Sequence, residues 1–217
     1  MIYDITPSID DSTPVWPGDT PLSREVLLDT ARGDNITLST LRATVHLGAH
    51  ADARGHVVAG ARGIDEFPID VYLGRCQVIG LRVSRGSRIG VEDFSVPIAA
   101  ERILFRTDTF PKPGAFREDF AALSPELVDF LHTAGVRLVG FDTPSVDLFD
   151  SKDLPAHRAI FARGMAIIEG IDLTGVPEGV YELIALPLRL IGFDASPVRA
   201  VLRTYDTRDQ DGAHRDA

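Results

Sequence analysis

Three of the chain's six histidines fall within eleven residues, His46-Leu47-Gly48-Ala49-His50-Ala51-Asp52-Ala53-Arg54-Gly55-His56. Imidazole nitrogen and carboxylate oxygen are the donors that zinc and similar borderline divalent ions take. Imidazole is also the group whose proton moves most readily near neutral pH. The run therefore points to a metal site with an acid/base group beside it, and to hydrolysis as the chemistry. The bland alternative is a solvated polar loop.

Spacing sharpens the first reading. In extended chain, residues 46, 50, 52 and 56 share one side. A helix would pair 46 with 50 but turn Asp52 away, because six residues advance it by about 240°. A straight strand, however, would hold the His46 and His50 Cα atoms about 13 Å apart, too far for comfortable sharing of one ion. The backbone must curve, and Gly48 and Gly55 are where it can. His46, His50 and Asp52 then give the three protein ligands of an open, catalytic site. Asp52 has two oxygens and could bridge to a second ion, a design that polarises a carbonyl between two metals. Further ligands must come from elsewhere. His157 and Glu169 are the candidates, although His157 alone reads as structural and Glu169 alone could equally be a solvent-facing strand end. A carboxylate at the end of the apolar run Met165–Ile168 is costly unless it is paired or metal-bound. His56 remains as an unliganded proton carrier. Cys76 reads as a small buried residue, and His132 as a surface residue near a helix end.

Other elements must bring these groups together. A strand is expected at Ile2–Ile5. A Pro- and Gly-rich loop follows from Thr6 to Pro21 and holds the only tryptophan, Trp16, as an anchor or a lid over a pocket. Ile36–Val45 reads as one strand running into His46. Further strands are expected at Gln77–Val83, Arg102–Thr107, Val136–Phe141, Ala166–Ile168, Tyr181–Leu186 and Val198–Arg203. A helix spans Pro125–Ala134, with Ser124 as N-cap, Gly135 beyond its end and Leu127, Phe130, Leu131 and Ala134 as its buried stripe. A second helix covers Ala156–Ala162. The expected class is α/β: a mixed sheet or barrel-like core with peripheral helices, in one domain over 1–204. The polar stretch 205–217 reads as a disordered tail. A net charge of −10 argues against nucleic acid and anionic membrane as partners. One cysteine, no signal peptide and no long apolar run make a cytoplasmic location the default.

The ordered set of motifs resembles a known family. The set runs Pro14-Val15-Trp16-Pro17-Gly18-Asp19, His46-x-Gly48-Ala49-His50-x-Asp52, Gly140-Phe141-Asp142-Thr143-Pro144-Ser145, His157, Gly164–Gly170 and Asp194-Ala195-Ser196-Pro197-Val198-Arg199. It is similar to the cyclase-like metal-dependent hydrolases, and most of all to the bacterial kynurenine formamidases (arylformamidases). The resemblance implies a swivelling β/β/α fold and a homodimer. It implies two zinc ions per subunit, with manganese or cadmium compatible. His46, His50 and Asp52 would hold one ion; Asp52, His157 and Glu169 would hold the other. His56 would move the proton and Trp16 would touch the substrate. The implied reaction is hydrolysis of N-formyl-L-kynurenine to L-kynurenine and formate, a step of tryptophan degradation. An isatin-hydrolase-like activity, or a metal-binding protein with a disabled site, are the alternatives. The departure from the family pattern is Arg54-Gly55 where a proline is usual, with Val57 after His56 in place of an aromatic.

Overall fold

The structure is a computed structural model that describes residues 1–110 and 114–205. Its strands are β1 (Ile2–Asp4), β2 (Ser23–Leu28), β3 (Leu38–Arg42), β4 (His50–Asp52), β5 (Leu73–Gly80), β6 (Arg88–Ile89) and β7 (Arg102–Arg106). After β8 (Ala122–Leu123) come α1 (Pro125–Thr133), β9 (Leu138–Phe141), α2 (Pro155–Ala162), β10 (Ala166–Glu169), β11 (Gly179–Ile184), β12 (Ala195–Pro197) and β13 (Val201–Arg203). Nine strands form one curled, half-barrel sheet in the order β1-β13-β11-β5-β7-β9-β10-β4-β12. Its centre, β5-β7-β9-β10, is parallel, and the flanking pairs are antiparallel. This is the mixed α/β architecture that the sequence predicts.

Period two along the central strands sorts their side chains onto two faces. Val78, Leu104 and Ile168 pack with Ile5, Tyr72 and Leu183 in one core. Ile79, Ile103, Phe105 and Ile167 pack on the other face with Leu127 and Leu131 of α1 and Ile160 of α2. Both helices therefore cover one face of the sheet. Ser124 caps α1 by accepting the Leu127 N–H at 3.1 Å, and Pro125 occupies the first turn. No helix among the described residues is long and apolar enough to cross a membrane.

Two expectations are corrected. The stripe of α1 is Leu127, Val128 and Leu131. Phe130 is 40% exposed, at the rim against Phe94, and Ala134 lies past the helix end. Ile36–Val45 is not one strand running into His46. β3 ends at Arg42, the chain turns through 43–49, and extended structure resumes at His50. The β-branched residues there belong to a two-stranded ribbon, β2–β3, which among the described residues pairs with no other strand. β2 itself was hidden in the sequence, because its residues are almost all exposed and carry no burial-driven period. The expected tail falls at 206–217, outside the described residues, apart from Tyr205.

Candidate metal centre

β4 lies between β10 and β12, and this placement assembles the site. His50 and Asp52 are two apart and so project from one face. Glu169, the last residue of β10, sits in register with His50, and Ala195 of β12 sits in register with Asp52. His157 comes from the first turns of α2 and Asp147 from the loop after β9. The bend between His46 and His50 depends on Gly48, whose φ is +59°. A Cβ on Gly170 would stand 2.1 Å from the Gly48 carbonyl oxygen, so only glycine lets these two turns close on each other.

All five sequence-derived ligands converge. Asp52 is fully buried and points its two oxygens at different partners. Its Oδ1 lies 3.2 Å from His46 Nδ1 and 3.5 Å from His50 Nε2. Its Oδ2 lies 3.3 Å from His157 Nε2. Glu169 spans the same gap, with Oε1 3.3 Å from His157 Nε2 and Oε2 3.3 Å from His50 Nε2. Two trios, His50–Asp52–Glu169 and His46–Asp52–His56, each bring one donor atom per residue within 4.8 Å of the others, with Asp52 in both. His56 thus stands closer to the His46 end than a purely outer proton carrier needs to.

Each of the three inner imidazoles is anchored through its other nitrogen. His50 Nδ1 donates to the Gly48 carbonyl at 2.9 Å. His157 Nδ1 donates to Asp147 Oδ2, and His46 Nε2 to Asp194 Oδ2, each at 2.9 Å. Carbonyl and carboxylate oxygens only accept, so the protons sit on these outward nitrogens. The inward nitrogens are left to face carboxylate oxygens. Outer acceptors that fix the tautomer of a metal-binding histidine are the general pattern of such sites. His50 Nε2 and Asp52 Oδ1, both buried, have no hydrogen-bond partner among the described residues. Two lone pairs facing each other in a buried place are costly. A divalent cation between them removes that cost, so the donor set fits the metal that the sequence implies.

The electrostatics agree. Burial opposes charge on every one of these groups, and the partners outweigh it. Burial pushes Asp52 up, but its contact with His157 and the neighbouring His46 and His50 imidazoles hold it well below the usual carboxylate range. Burial and the Asp52 charge push Glu169 up, yet His157 and His50 bring it below its ordinary value. His46 is depressed by burial but raised, on balance, to about 9 by Asp52 and Asp194. His157 is raised well above its ordinary value by Asp147, Asp52 and Glu169 against the same desolvation. Protons on the imidazoles thus hold the buried carboxylates ionised, and a cation can take the protons' place.

The cluster floors a cavity of about 920 Å³. Trp16, Phe110, Phe116, Pro144 and Leu154 are among the residues that line it. Trp16 stacks on Phe149, with ring centroids 4.9 Å apart, and meets Phe116 edge-on at 5.5 Å. Arg54 is exposed and borders a separate shallow hollow with Val58–Arg62. Its guanidinium therefore does not enter the cluster.

Two groups in the site were missed as functional in the sequence. Asp147 lies two residues beyond the Pro144-Ser145 motif, and Asp194 stood inside a quoted motif with no role given to it. Neither has a spacing that ties it to a histidine.

A family model, Cyclase ("Putative cyclase"), matches residues 3–148, about two thirds of the chain and all of the histidine run. The chain belongs to the cyclase family. Solved structures extend the likeness of this cyclase-family chain along nearly its whole length. A "potential metal-dependent hydrolase with cyclase activity" is 29% identical with a TM-score of 0.81, covering 93% of this chain and 96% of that one. A "predicted metal-dependent hydrolase" from Bacillus stearothermophilus is also 29% identical, with a TM-score of 0.76 over 93% and 97% of the two chains. Isatin hydrolase A from Labrenzia aggregata, bound to benzyl benzoate, shares the fold at 22% identity and a TM-score of 0.77, over 95% and 94%.

Proposed function

We propose that this cyclase-family protein is a metal-dependent hydrolase that cleaves the formamide C–N bond of N-formyl-L-kynurenine, releasing L-kynurenine and formate. The observation that carries the reading is the buried Asp52 carboxylate, whose two oxygens face separate histidines directly beneath an aromatic-walled cavity. His46, His50 and Asp52 would hold one ion, and Asp52, His157 and Glu169 the other. Zinc is the expected metal, with manganese or cadmium as compatible ions. Bound there, such ions supply Lewis acidity to the formyl carbonyl and to the attacking water.

The chain's own groups do the rest. Water attacks the formyl carbon, and His56 at the mouth of the cluster takes up its proton. As the C–N bond breaks, His56 returns the proton to the leaving aniline nitrogen. Trp16 packs against the aryl ring and keeps bulk water off the reacting carbon. Trp16 is itself braced by Phe149, so it offers the substrate a fixed surface.

A second reading has a specific observation in its favour. Among the described residues, no arginine or lysine lines the cavity, whereas Asp10 and Asp19 do. Among the described lining residues an amino-acid carboxylate meets no cationic side chain, and a neutral bicyclic amide such as isatin needs none. Metal-loaded protein offered N-formylkynurenine, isatin and simple aryl formamides separates the two. We expect the highest kcat/KM for N-formylkynurenine. Preference for isatin would replace that substrate with the cyclic one, and turnover of none of them would leave a metal-binding protein without hydrolysis.

We also propose that the working unit is a homodimer. Leu41 of the β2–β3 ribbon is 71% exposed and shares its face with Val26, Leu38 on the other face is exposed as well, and among the described residues no further strand pairs with the ribbon. An isolated two-stranded ribbon is marginal in water unless its apolar face is covered. The double variant Val26→Asp, Leu41→Asp should sediment as a monomer, with its unfolding midpoint little changed. A wild-type protein that is monomeric at tens of micromolar would sink this assignment.

A further inference from the structure

We propose that Asp194 is a positioning residue shared by the two histidines at the open end of the cluster, His46 and His56. Its Oδ2 accepts from His46 Nε2 at 2.9 Å and lies 3.6 Å from His56 Nδ1. The two rings stand 4.5 Å apart, centroid to centroid, with this carboxylate against both. Holding the proton on His46 Nε2 leaves Nδ1 directed at Asp52 Oδ1. The main chain keeps Asp194 in place: its carbonyl accepts the Ala53 N–H at 2.8 Å, and the next residue, Ala195, registers with Asp52. Asp194, the residue entering β12, thus sets its carboxylate on the flank of the strand that carries His50 and Asp52.

The opposite end of the cluster is held differently. Asp147 is fully buried and accepts from His157 Nδ1, from the His157 and Ala156 backbone N–H groups, and from Arg88. That arrangement fixes His157 from several sides. The Asp194 side chain is 47% exposed, and among the described residues its one side-chain donor at hydrogen-bond distance is His46. It can therefore lean from His46 towards His56 without leaving a buried group unpaired. Asp194 does not line the cavity, so it acts through the histidines and not on the substrate. The inference rests on the proposed roles of His46 as ligand and His56 as proton carrier.

The test is a metal titration, which needs no substrate. Zinc chloride and manganese chloride are titrated calorimetrically, against a competing chelator, into wild type, Asp194→Ala and Asp194→Asn. Loss of an outer acceptor of this kind weakens metal binding by about 10–100-fold. We expect that weakening for one ion per chain in Asp194→Ala, with the second ion unchanged. Asp194→Asn should lie between, because its amide oxygen still accepts from His46. The metal-free unfolding midpoints should stay close to wild type, since the side chain is half exposed. An Asp194→Ala isotherm that overlays wild type overturns the proposal, as does equal weakening of both ions, which would mark a merely structural role. A wild type that binds no ion overturns this proposal and the metal reading together. The expected isotherms with no hydrolysis of any amide would leave Asp194 where it is placed and overturn only the proposed reaction.

Discussion

Replacing Asp52 with Asn is expected to abolish binding of both ions and to drop hydrolysis to the uncatalysed level. Asp52 faces both halves of the cluster, through Oδ1 to His46 and His50 and through Oδ2 to His157, whereas Glu169 reaches His50 and His157 but not His46. An amide offers one acceptor oxygen in place of two and turns an N–H pair towards the other half. A cation there would meet donors where it needs lone pairs. The carboxylates of Glu169 and Asp147 would remain, but neither reaches His46. Metal analysis of the dialysed variant, with circular dichroism to show that it folds, checks the outcome. Retention of one full equivalent would show that Asp52 serves a single ion and does not bridge.

Replacing His56 with Ala should leave both ions bound while turnover falls by about 10²–10⁴-fold. His56 is the most exposed of the clustered histidines, and its ring lies 4.5 Å from His46 and 5.7 Å from His157. It is thus near both halves without being enclosed by either, as a proton carrier must be. Unchanged turnover would remove it from the mechanism. Loss of an ion would instead make it a ligand, a role that its grouping with His46 and Asp52 leaves open geometrically.

Much of this site was readable in the residues themselves. Donor types in the 46–56 run, the need for a bend at Gly48 and the awkward placement of Glu169 at a strand end are local chemical facts. The structure brings those residues together with His157. The helix at Pro125 was legible because its cap and N1 proline are local signals. What sequence could not supply is pairing across the sheet. Asp194 reaches His46 only because β12 lies beside β4, a contact across 148 positions. Asp147 meets His157 only because α2 begins over the loop that follows β9. The ribbon β2–β3 was misread for a different reason. Its β-branched residues signal extended chain, but a strand exposed on both faces leaves no burial pattern to fix its ends. The same holds for Phe130, whose place in the helical period suggested the core although α1 packs through Val128 instead.

The central claim is that this cluster holds two divalent ions bridged by Asp52. Elemental analysis of the protein after zinc loading and exhaustive dialysis tests it most directly. The account predicts two equivalents per chain in the wild type and none in Asp52→Asn. A wild type that retains no metal, or a variant that retains as much as the wild type, would contradict it.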